Sequence, residues 1–373
     1  MSDSTADLVP HPSEFIREEL EARGWTQRDL AFILGCNSTS LNLLLLGKKG
    51  ISTDMAKALG EAFDVSAEFF SNLQRAYDLA NASDPNPAIA KRARIQSQYP
   101  IREMIKRGWL HDAEASFLEE QLAKHFCVSK VSDVPYLDHA AKKTDYDEAP
   151  PAEQLAWLFR VKQIAKTLKV SKYSEENLRA ALTKLKQLLI DPEEIRHAPR
   201  LLAECGVRLI FVEALPSSKI DGVTFWLDSN SPVIGMSLRL DRIDNFWFVL
   251  PHEIEHVLNK HGQQKEIIDV DMKCGTEEFV PTEENIANKA AAEFCLPQKD
   301  MDSFVARKDP FFSDRDLRGF AQIMKVHPGI VAGQLQHKTG DYRRFKAYQV
   351  KVRPFALSGA IFDGWGQVFP ITL

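Results

Sequence analysis

The sequence predicts a multi-domain, mainly α-helical protein in which five short N-terminal helices precede an α+β domain with a small sheet. Capping residues and glycines divide the first 80 residues into five helical segments. Apolar residues then recur at helical spacing through the middle of the chain, and β-rich segments begin after Gly206. At 373 residues the chain is long enough for two or three domains with apolar cores.

Composition limits the classes of protein to consider. The chain has 44% hydrophobic and 27% charged residues, which is ordinary for a globular protein in water. No stretch of ~18 apolar residues could span a bilayer, and Met1–Asp7 lacks the apolar core of a signal peptide. The five cysteines are scattered and form neither a C-x-x-C zinc motif nor a disulfide framework. We therefore expect a cytoplasmic protein without a membrane segment.

The five N-terminal helices are predicted from their first and last residues. Each begins at a residue that favours a helix start, and these are Pro12–Ser13, Thr26, Ser38, Ser52 and Ser66. Glycines end the first three helices. Two short helices joined by a tight turn, inside a five-helix unit, form the helix-turn-helix pattern.

Four segments of this unit resemble the Cro/C1-type (XRE) helix-turn-helix domains, and among them the HigA-type antitoxins of toxin–antitoxin modules. They are His11–Glu19, Trp25–Ala31, Gly47–Ile51 and Phe69–Leu79. The resemblance covers residues 10–80 and implies a homodimer that represses transcription by binding operator DNA. The polar residues that it implies at the DNA are Gln27, Ser38, Thr39, Ser40 and Asn42. Lys48 and Lys49 are also well placed to bind DNA, because they can neutralise phosphates.

Two features of this unit depart from the family pattern. Three leucines of the second helix of the helix-turn-helix can belong to the core, namely Leu41, Leu44 and Leu45. Leu43 and Leu46 stand where the family usually has polar side chains, and leucine offers DNA only apolar contact with thymine methyl groups. Residues 1–80 also hold seven Lys/Arg against twelve Asp/Glu, a net charge of −5, whereas DNA affinity normally depends on phosphate neutralisation. The alternative is that this domain serves dimerisation or binds a partner protein through an apolar face.

A second motif, His252-Glu-Ile-Glu-His256, ends an apolar and aromatic segment. Residues four apart share a helix face, so both imidazoles can bind one metal ion. Glu253 lies about 100° round the helix from His252, so it can contact a water molecule bound to that ion. Zinc makes such a water molecule more acidic and so prepares it for attack on a carbonyl. The alternative is a chance match to H-E-x-x-H in a helix, whereas the apolar residues on both sides of the motif favour a half-buried helix and a real site. Pro251 either bends the helix or marks its start with residues 246–250 extended, and we favour the bend.

Together with Glu283–Pro297, this motif resembles the ImmA/IrrE family of zinc metallopeptidases. The resemblance rests on H-E-x-x-H followed by E-x-x-A-N-x-x-A-A-E-x-x-x-P and covers residues 155–340. It implies a zincin-like α+β domain, Zn2+ held by His252, His256 and Glu284, and Glu253 as the catalytic carboxylate. Glu283 is the alternative third ligand. The family commonly has Ala and Gly where this chain has Pro251 and Glu255.

Four segments are predicted along the chain. They are a helix-turn-helix domain at 1–80, a helical linker region at 81–150, an ImmA/IrrE-like metallopeptidase domain at 151–345 and a strand-like tail at 346–373. Three strands are predicted for the small sheet, at Val207–Val212, Gly222–Leu227 and Pro232–Met236. The basic cluster between Lys91 and Arg107 is interpreted as a solvated helix face, with a phosphate-contacting arm as the alternative.

Three functions remain open at this point. The first is a regulator that binds DNA through one domain and cleaves a partner regulator through the zinc peptidase domain. The second is a HigA-like antitoxin or repressor whose zinc domain is a sensor, or a scaffold that binds a toxin without significant hydrolysis. The third is an adaptor that binds a partner protein and has neither DNA affinity nor catalysis.

Overall fold

The computed structural model describes residues 9–134, 152–263, 267–270 and 282–367. The chain divides into two compact units, Met1–Pro87 and Ala88–Leu373. The predicted division into four segments is finer than this, and it stays a prediction. No helix in the described ranges is both long enough and apolar enough to cross a lipid bilayer.

The first unit folds into five helices at the positions that the capping residues predict. They are α1 (Pro12–Arg23), α2 (Gln27–Ile33), α3 (Ser38–Leu45), α4 (Thr53–Phe63) and α5 (Ala67–Ala80). Thr26 and Asp29 form the predicted capping box at the start of α2, and Gly24 ends α1 with a φ of 66° that favours glycine. Apolar side chains from all five helices, such as Ile16 and Phe63, pack into one core.

The second unit adds twelve helices in the ranges that the structure describes. They are α6 (Pro87–Gln98), α7 (Ile101–Lys106), α8 (Ala115–His125), α9 (Ala152–Thr167), α10 (Glu175–Gln187), α11 (Ala198–Glu204), α12 (Ile243–Leu258), α13 (Thr282–Cys295), α14 (Gln298–Lys308), α15 (Asp314–Met324), α16 (Pro328–Thr339) and α17 (Arg353–Ser358).

A mixed sheet lies at the centre of the second unit. Its strands are β1 (Arg208–Val212), β2 (Ile220–Trp226), β3 (Pro232–Met236), β4 (Ile267–Val270) and β5 (Ile361–Asp363), in the order β4-β2-β3-β1-β5. Strand β1 pairs in parallel with β3 and β5, and β2 pairs in the antiparallel sense with β3 and β4. Successive residues of a strand face opposite sides. Leu209 and Phe211 therefore pack with α10–α17, whereas Ile210 and Val212 pack with α6–α9.

The mainly helical fold class with a small sheet is confirmed, and the three predicted strands lie within two residues of β1, β2 and β3. The prediction of a strand-like tail is wrong for Arg353–Ser358, which form α17. Pro354 favours the first turn of a helix, and Ala356 is buried in the core. Ile361–Asp363 do form a strand, and residues 368–373 lie outside the described ranges.

Helices α6, α7 and α8 belong to the predicted linker region, and their apolar residues join the core that α9 forms with the sheet. Several side chains of the basic cluster on these helices form ion pairs or hydrogen bonds within the second unit. Lys91 and Arg94 form ion pairs with Glu119 at 2.7 and 3.3 Å. The guanidinium of Arg107 donates to the carbonyls of Glu213 and Ala214 at 2.9 and 2.8 Å. Residues 135–150 of the predicted linker lie outside the described ranges.

The last strand is fixed to α9 by buried polar contacts. Asp363 of β5 and Arg160 of α9 form an ion pair in which both side chains are fully buried. The indole nitrogen of Trp109 also donates to Asp363 Oδ2 at 3.0 Å. The Trp109 ring stacks on His125, and burial lowers the pKa of His125 to about 4, so that this imidazole is neutral near pH 7.

Candidate functional site

Helix α12 carries His252, Glu253 and His256, and it continues through Pro251 without interruption. The alternative in which residues 246–250 are extended is therefore wrong. All three side chains of the motif are fully buried, because the helix packs against β2 and α13.

The proline inside α12 frees one backbone carbonyl. Pro251 has no N–H, so the carbonyl of Trp247, four residues earlier, has no helical donor. Cys295, the last residue of α13, replaces this donor, since its Sγ lies 2.8 Å from Trp247 O. Burial raises the pKa of the Cys295 thiol, which therefore keeps the proton that it donates. The end of α13 is thereby joined to α12 just over one turn before His252.

We predict that Cys295→Ala lowers the free energy of unfolding by about 1–3 kcal/mol, because it leaves the Trp247 carbonyl buried without a donor. Pro251→Ala restores a backbone N–H, so the double variant should be more stable than the two single changes predict. Urea unfolding of the four proteins measures this coupling. Cys205→Ala removes another buried thiol and should be additive with Pro251→Ala. Additivity of Cys295→Ala with Pro251→Ala would contradict the contact.

The side chains of His252, His256 and Glu284 converge between α12 and α13. The two Nε2 atoms lie 3.0 Å apart. Glu284 Oε2 lies 3.3 Å from His252 Nε2, and Glu284 Oε1 lies 3.4 Å from His256 Nε2. Ligand atoms held ~2.0–2.1 Å from a tetrahedral zinc ion are separated by about 3.3 Å. The three side chains therefore have the spacing of ligands around one zinc ion.

The surroundings of Glu284 also suit a cation. The residue is 6% exposed, and its Oε1 accepts no hydrogen bond from the part of the chain that the structure describes. A buried carboxylate is unfavourable unless a cation or hydrogen bonds compensate its charge. Glu283, the alternative third ligand, has a 57% exposed side chain, and its Oε1 lies 4.0 Å from His261 Nε2. The geometry favours Glu284, and the ligand roles themselves stay predictions.

Strand β2 holds the carboxylate of Glu253. The hydroxyl of Thr224, which is itself fully buried, donates to Glu253 Oε2 at 2.6 Å. A Cβ atom on Gly222 would lie 1.9 Å from Glu253 Oε1, so this position of β2 has room for the carboxylate only when it is glycine. The carboxylate predicted to be catalytic is therefore positioned by the sheet, whereas the two histidines contact α13.

His261 contacts the far side of the His256 ring. The two Nδ1 atoms lie 2.9 Å apart. If His256 binds a metal ion through Nε2, its proton is on Nδ1 and is donated to His261. Burial lowers the pKa of His261, which favours the neutral imidazole that can accept this hydrogen bond. Trp226 Nε1 holds the His261 backbone by donating to its carbonyl at 2.9 Å.

We predict that His261→Ala weakens zinc binding by about 10–100-fold, because it removes the group that orients His256. Competition against a chromogenic chelator measures the dissociation constant, and circular dichroism checks the fold. His111→Ala, which changes an exposed histidine, should keep the wild-type affinity. An unchanged affinity in His261→Ala would show that the contact does not support the metal centre.

In the first unit, α2 and α3 are the two helices of the helix-turn-helix. Of the residues predicted to face DNA, Gln27, Ser38, Thr39, Asn42, Lys48 and Lys49 are exposed and Ser40 is half-buried. Lys49 Nζ donates to Ser40 Oγ at 2.8 Å. The side chain of Asn37, which was not predicted to take part, caps α3 by accepting from Thr39 N.

The leucines of α3 divide as the sequence predicts. Leu41, Leu44 and Leu45 are buried in the core of the first unit, whereas Leu43 and Leu46 are 40% and 58% exposed. Phe32 of α2 is 87% exposed. The surface of this helix pair therefore combines polar and apolar side chains.

Four residues around the histidine cluster were not predicted from the sequence: Gly222, Thr224, His261 and Cys295. Gly222 and Thr224 lie in a predicted strand, but nothing in the strand pattern indicates contact with Glu253. A histidine soon after the motif was a usable signal for His261. The contact of Cys295 with the carbonyl that Pro251 leaves free can be predicted only once the packing of α13 on α12 is known.

Comparison with known proteins concerns a limited part of the chain. A helix-turn-helix family model matches residues 16–70. Virulence-associated protein A' of Dichelobacter nodosus is 36% identical over 76 residues, which are 20% of this chain and 66% of that protein. Virulence-associated protein I of the same organism is 34% identical over 80 residues, which are 21% of this chain and 74% of that protein.

Two solved structures are also similar to the chain. PA4674 of Pseudomonas aeruginosa, solved in complex with its operator DNA, is 36% identical; the match covers 22% of this chain and 91% of that one, with a TM-score of 0.21. An addiction module antidote protein of the HigA family from Coxiella burnetii is 28% identical; the match covers 24% of this chain and 94% of that one, with a TM-score of 0.19.

Proposed function

Because the chain belongs to the helix-turn-helix family through residues 16–70, we propose that it is a DNA-binding transcriptional regulator whose second unit is a zinc-dependent, ImmA/IrrE-like peptidase. The observation that carries the proposal for the second unit is the buried cluster of His252, His256 and Glu284, whose ligand atoms all lie within 4.8 Å of one another. The exposed polar residues of α3 support the proposal for the first unit.

DNA recognition by a helix-turn-helix places the second helix in the major groove, with the N-terminal residues of that helix at the base edges. Ser38 and Thr39 at the start of α3 are exposed hydroxyl donors, and Asn42 offers a carboxamide that can bind adenine through two hydrogen bonds. Lys48 and Lys49 follow α3 and would contact phosphates. We expect operator DNA as the partner and a homodimer as the binding form.

The test for the first unit is binding of the full chain to DNA from its own promoter at increasing salt. A Lys48→Ala/Lys49→Ala variant should bind more weakly, and the slope of log affinity against log salt should fall by about 2, since two phosphate contacts are lost. Lys57→Ala/Arg75→Ala removes the same charge from exposed positions outside α2 and α3 and is the matched control. No binding by the wild type at low salt would refute DNA recognition.

In the second unit, the imidazoles of His252 and His256 and the carboxylate of Glu284 would hold the zinc ion. Zinc, when bound, supplies a Lewis acid that polarises a peptide carbonyl and makes water more acidic. Glu253 takes a proton from the attacking water and passes a proton to the amine that leaves as the C–N bond breaks. Thr224 holds the Glu253 carboxylate in place through its 2.6 Å hydrogen bond. The proposed substrate is a partner regulator protein.

A second candidate function is binding of a partner protein without hydrolysis, as in a HigA-like antitoxin or repressor whose second unit is a sensor or scaffold. The exposure of Leu43 on α3 and of Leu46 directly after it favours this function, because apolar side chains on a protein surface are typical of protein contacts. A Leu43→Ser/Leu46→Ser variant that still binds DNA but no longer binds the product of an adjacent toxin gene would support this function. Equal binding of that product by both proteins would refute it.

A further inference from the structure

A cavity of 540 Å³ lies in the second unit between α12, α13 and α16. We propose that it binds a bulky apolar side chain of the polypeptide substrate, next to the histidine cluster. This inference rests on the proposed peptidase function and names the class of side chain that the site accepts. The volume lies within the range of about 300–1,000 Å³ that is typical of ligand pockets.

The cavity and the histidine cluster share the same two helices. Asn245 and Phe248 line the cavity and precede His252 by seven and four residues, so they lie on its face of α12. The Phe248 and His252 rings are 6.3 Å apart between centroids. On α13, Cys295 lines the cavity three turns after Glu284. The cavity therefore lies between the same two helices as the three predicted ligands, toward the start of α12 and the end of α13.

The distance between cluster and cavity suits one substrate residue. Four residues of helix between Phe248 and His252 correspond to about 6 Å along α12. A leucine or phenylalanine side chain on the residue next to the cleaved bond spans a similar length. A substrate held at the histidine cluster would place this side chain in the cavity.

The lining favours an apolar occupant, because its charged groups already have partners within the protein. Arg242 Nε donates to Asp244 Oδ1 at 3.0 Å, and Lys338 Nζ donates to Asp302 Oδ1 at 2.6 Å. A charged ligand would have to break one of these ion pairs. The carboxamide nitrogen of Gln334 similarly donates to the carbonyl of Ala292 at 3.0 Å.

The lining also includes the polar residues Asn245, Gln298, His337 and Tyr342, and its apolar walls come from three directions. Leu240, Phe248, Ala292 and Ile330 contribute carbon atoms to the walls. Burial of a leucine or phenylalanine side chain against such walls is favourable in proportion to the apolar area removed from water. The cavity therefore selects for size and apolar character rather than for charge.

The test uses N-acetyl amino-acid hydroxamates, which bind zinc through the hydroxamate group and differ only in the side chain. Calorimetry on the zinc-loaded full chain measures binding without any need for turnover. We expect the leucine and phenylalanine compounds to bind at least about 10-fold more tightly than the glycine compound. The aspartate and lysine compounds should bind no more tightly than glycine. Ala292→Leu fills part of the cavity, so the affinity for the leucine compound should fall toward the affinity for the glycine compound.

Ala290→Leu, on the same helix but outside the lining, is the control and should keep the wild-type ratio. Equal binding of all side chains by the wild type, or tightest binding of a charged one, would overturn the cavity assignment while leaving the metal centre intact. If Ala292→Leu does not fold, the wild-type series alone decides the question. A protein that binds neither zinc nor the glycine compound would refute the proposed peptidase centre and this inference with it.

Discussion

Replacement of Asp363 by asparagine is expected to lower the free energy of unfolding of the second unit by about 3–5 kcal/mol. Asp363 and Arg160 are both fully buried and form an ion pair. Burial raises the pKa of Asp363 and lowers that of Arg160, so each group depends on the other to keep its charge. Asparagine accepts hydrogen bonds but carries no charge, and it would leave the guanidinium of Arg160 buried without a counter-ion.

Tryptophan fluorescence during urea unfolding measures this effect, because five of the six tryptophans lie in the second unit. Glu204→Gln breaks the exposed ion pair with Arg200 and should change stability by less than about 1 kcal/mol. The double variant Arg160→Met/Asp363→Leu should recover much of the loss, since apolar residues of similar volume can replace a buried pair. A loss no larger than that of Glu204→Gln would contradict the assigned role of Asp363.

Replacement of Glu253 by glutamine is expected to reduce peptide cleavage by about 10²–10⁴-fold while zinc stays bound. Glutamine has the size of glutamate, fits beside Gly222 and can still accept the hydrogen bond from Thr224. It cannot take a proton from water at neutral pH. The change therefore removes the general base and leaves the histidine cluster in place.

Cleavage of the protein encoded beside this gene, followed by gel electrophoresis and mass spectrometry, measures the effect. Glu255→Gln is the matched control, because Glu255 lies on the same helix and accepts a hydrogen bond from Asn259 at 2.8 Å, outside the cluster. We expect this control to cut at the wild-type rate. Cleavage by Glu253→Gln at that rate would show that Glu253 is not the catalytic carboxylate.

Local signals in the sequence predicted the first unit well. Capping residues such as Thr26 and Ser52 act within one helical turn, so their effect can be read without knowledge of the fold. The leucines of α3 could also be assigned to core or surface, since helical spacing fixes which of them share a face. Short β-rich segments likewise predicted the strands β1, β2 and β3 from local sequence alone.

Contacts between distant segments could not be predicted in this way. The spacing of His252 and His256 indicates a shared face, but the approach of Glu284 depends on how α13 packs against α12. The pairing of Arg160 with Asp363 joins residues 203 positions apart, and neither residue carries a local pattern. Strand β5 lies in the segment predicted to be strand-like, but its bounds could not be predicted, because its three residues gain their partner only when β1 is in place.

Zinc analysis of the purified protein tests the central claim most directly, namely that His252, His256 and Glu284 hold one metal ion. We expect about one zinc ion per chain in the wild type and in Glu283→Gln, the adjacent exposed carboxylate. We expect little zinc in His252→Ala/His256→Ala and in Glu284→Gln. Equal zinc in the wild type and in the double histidine variant, with both proteins folded, would contradict the claim.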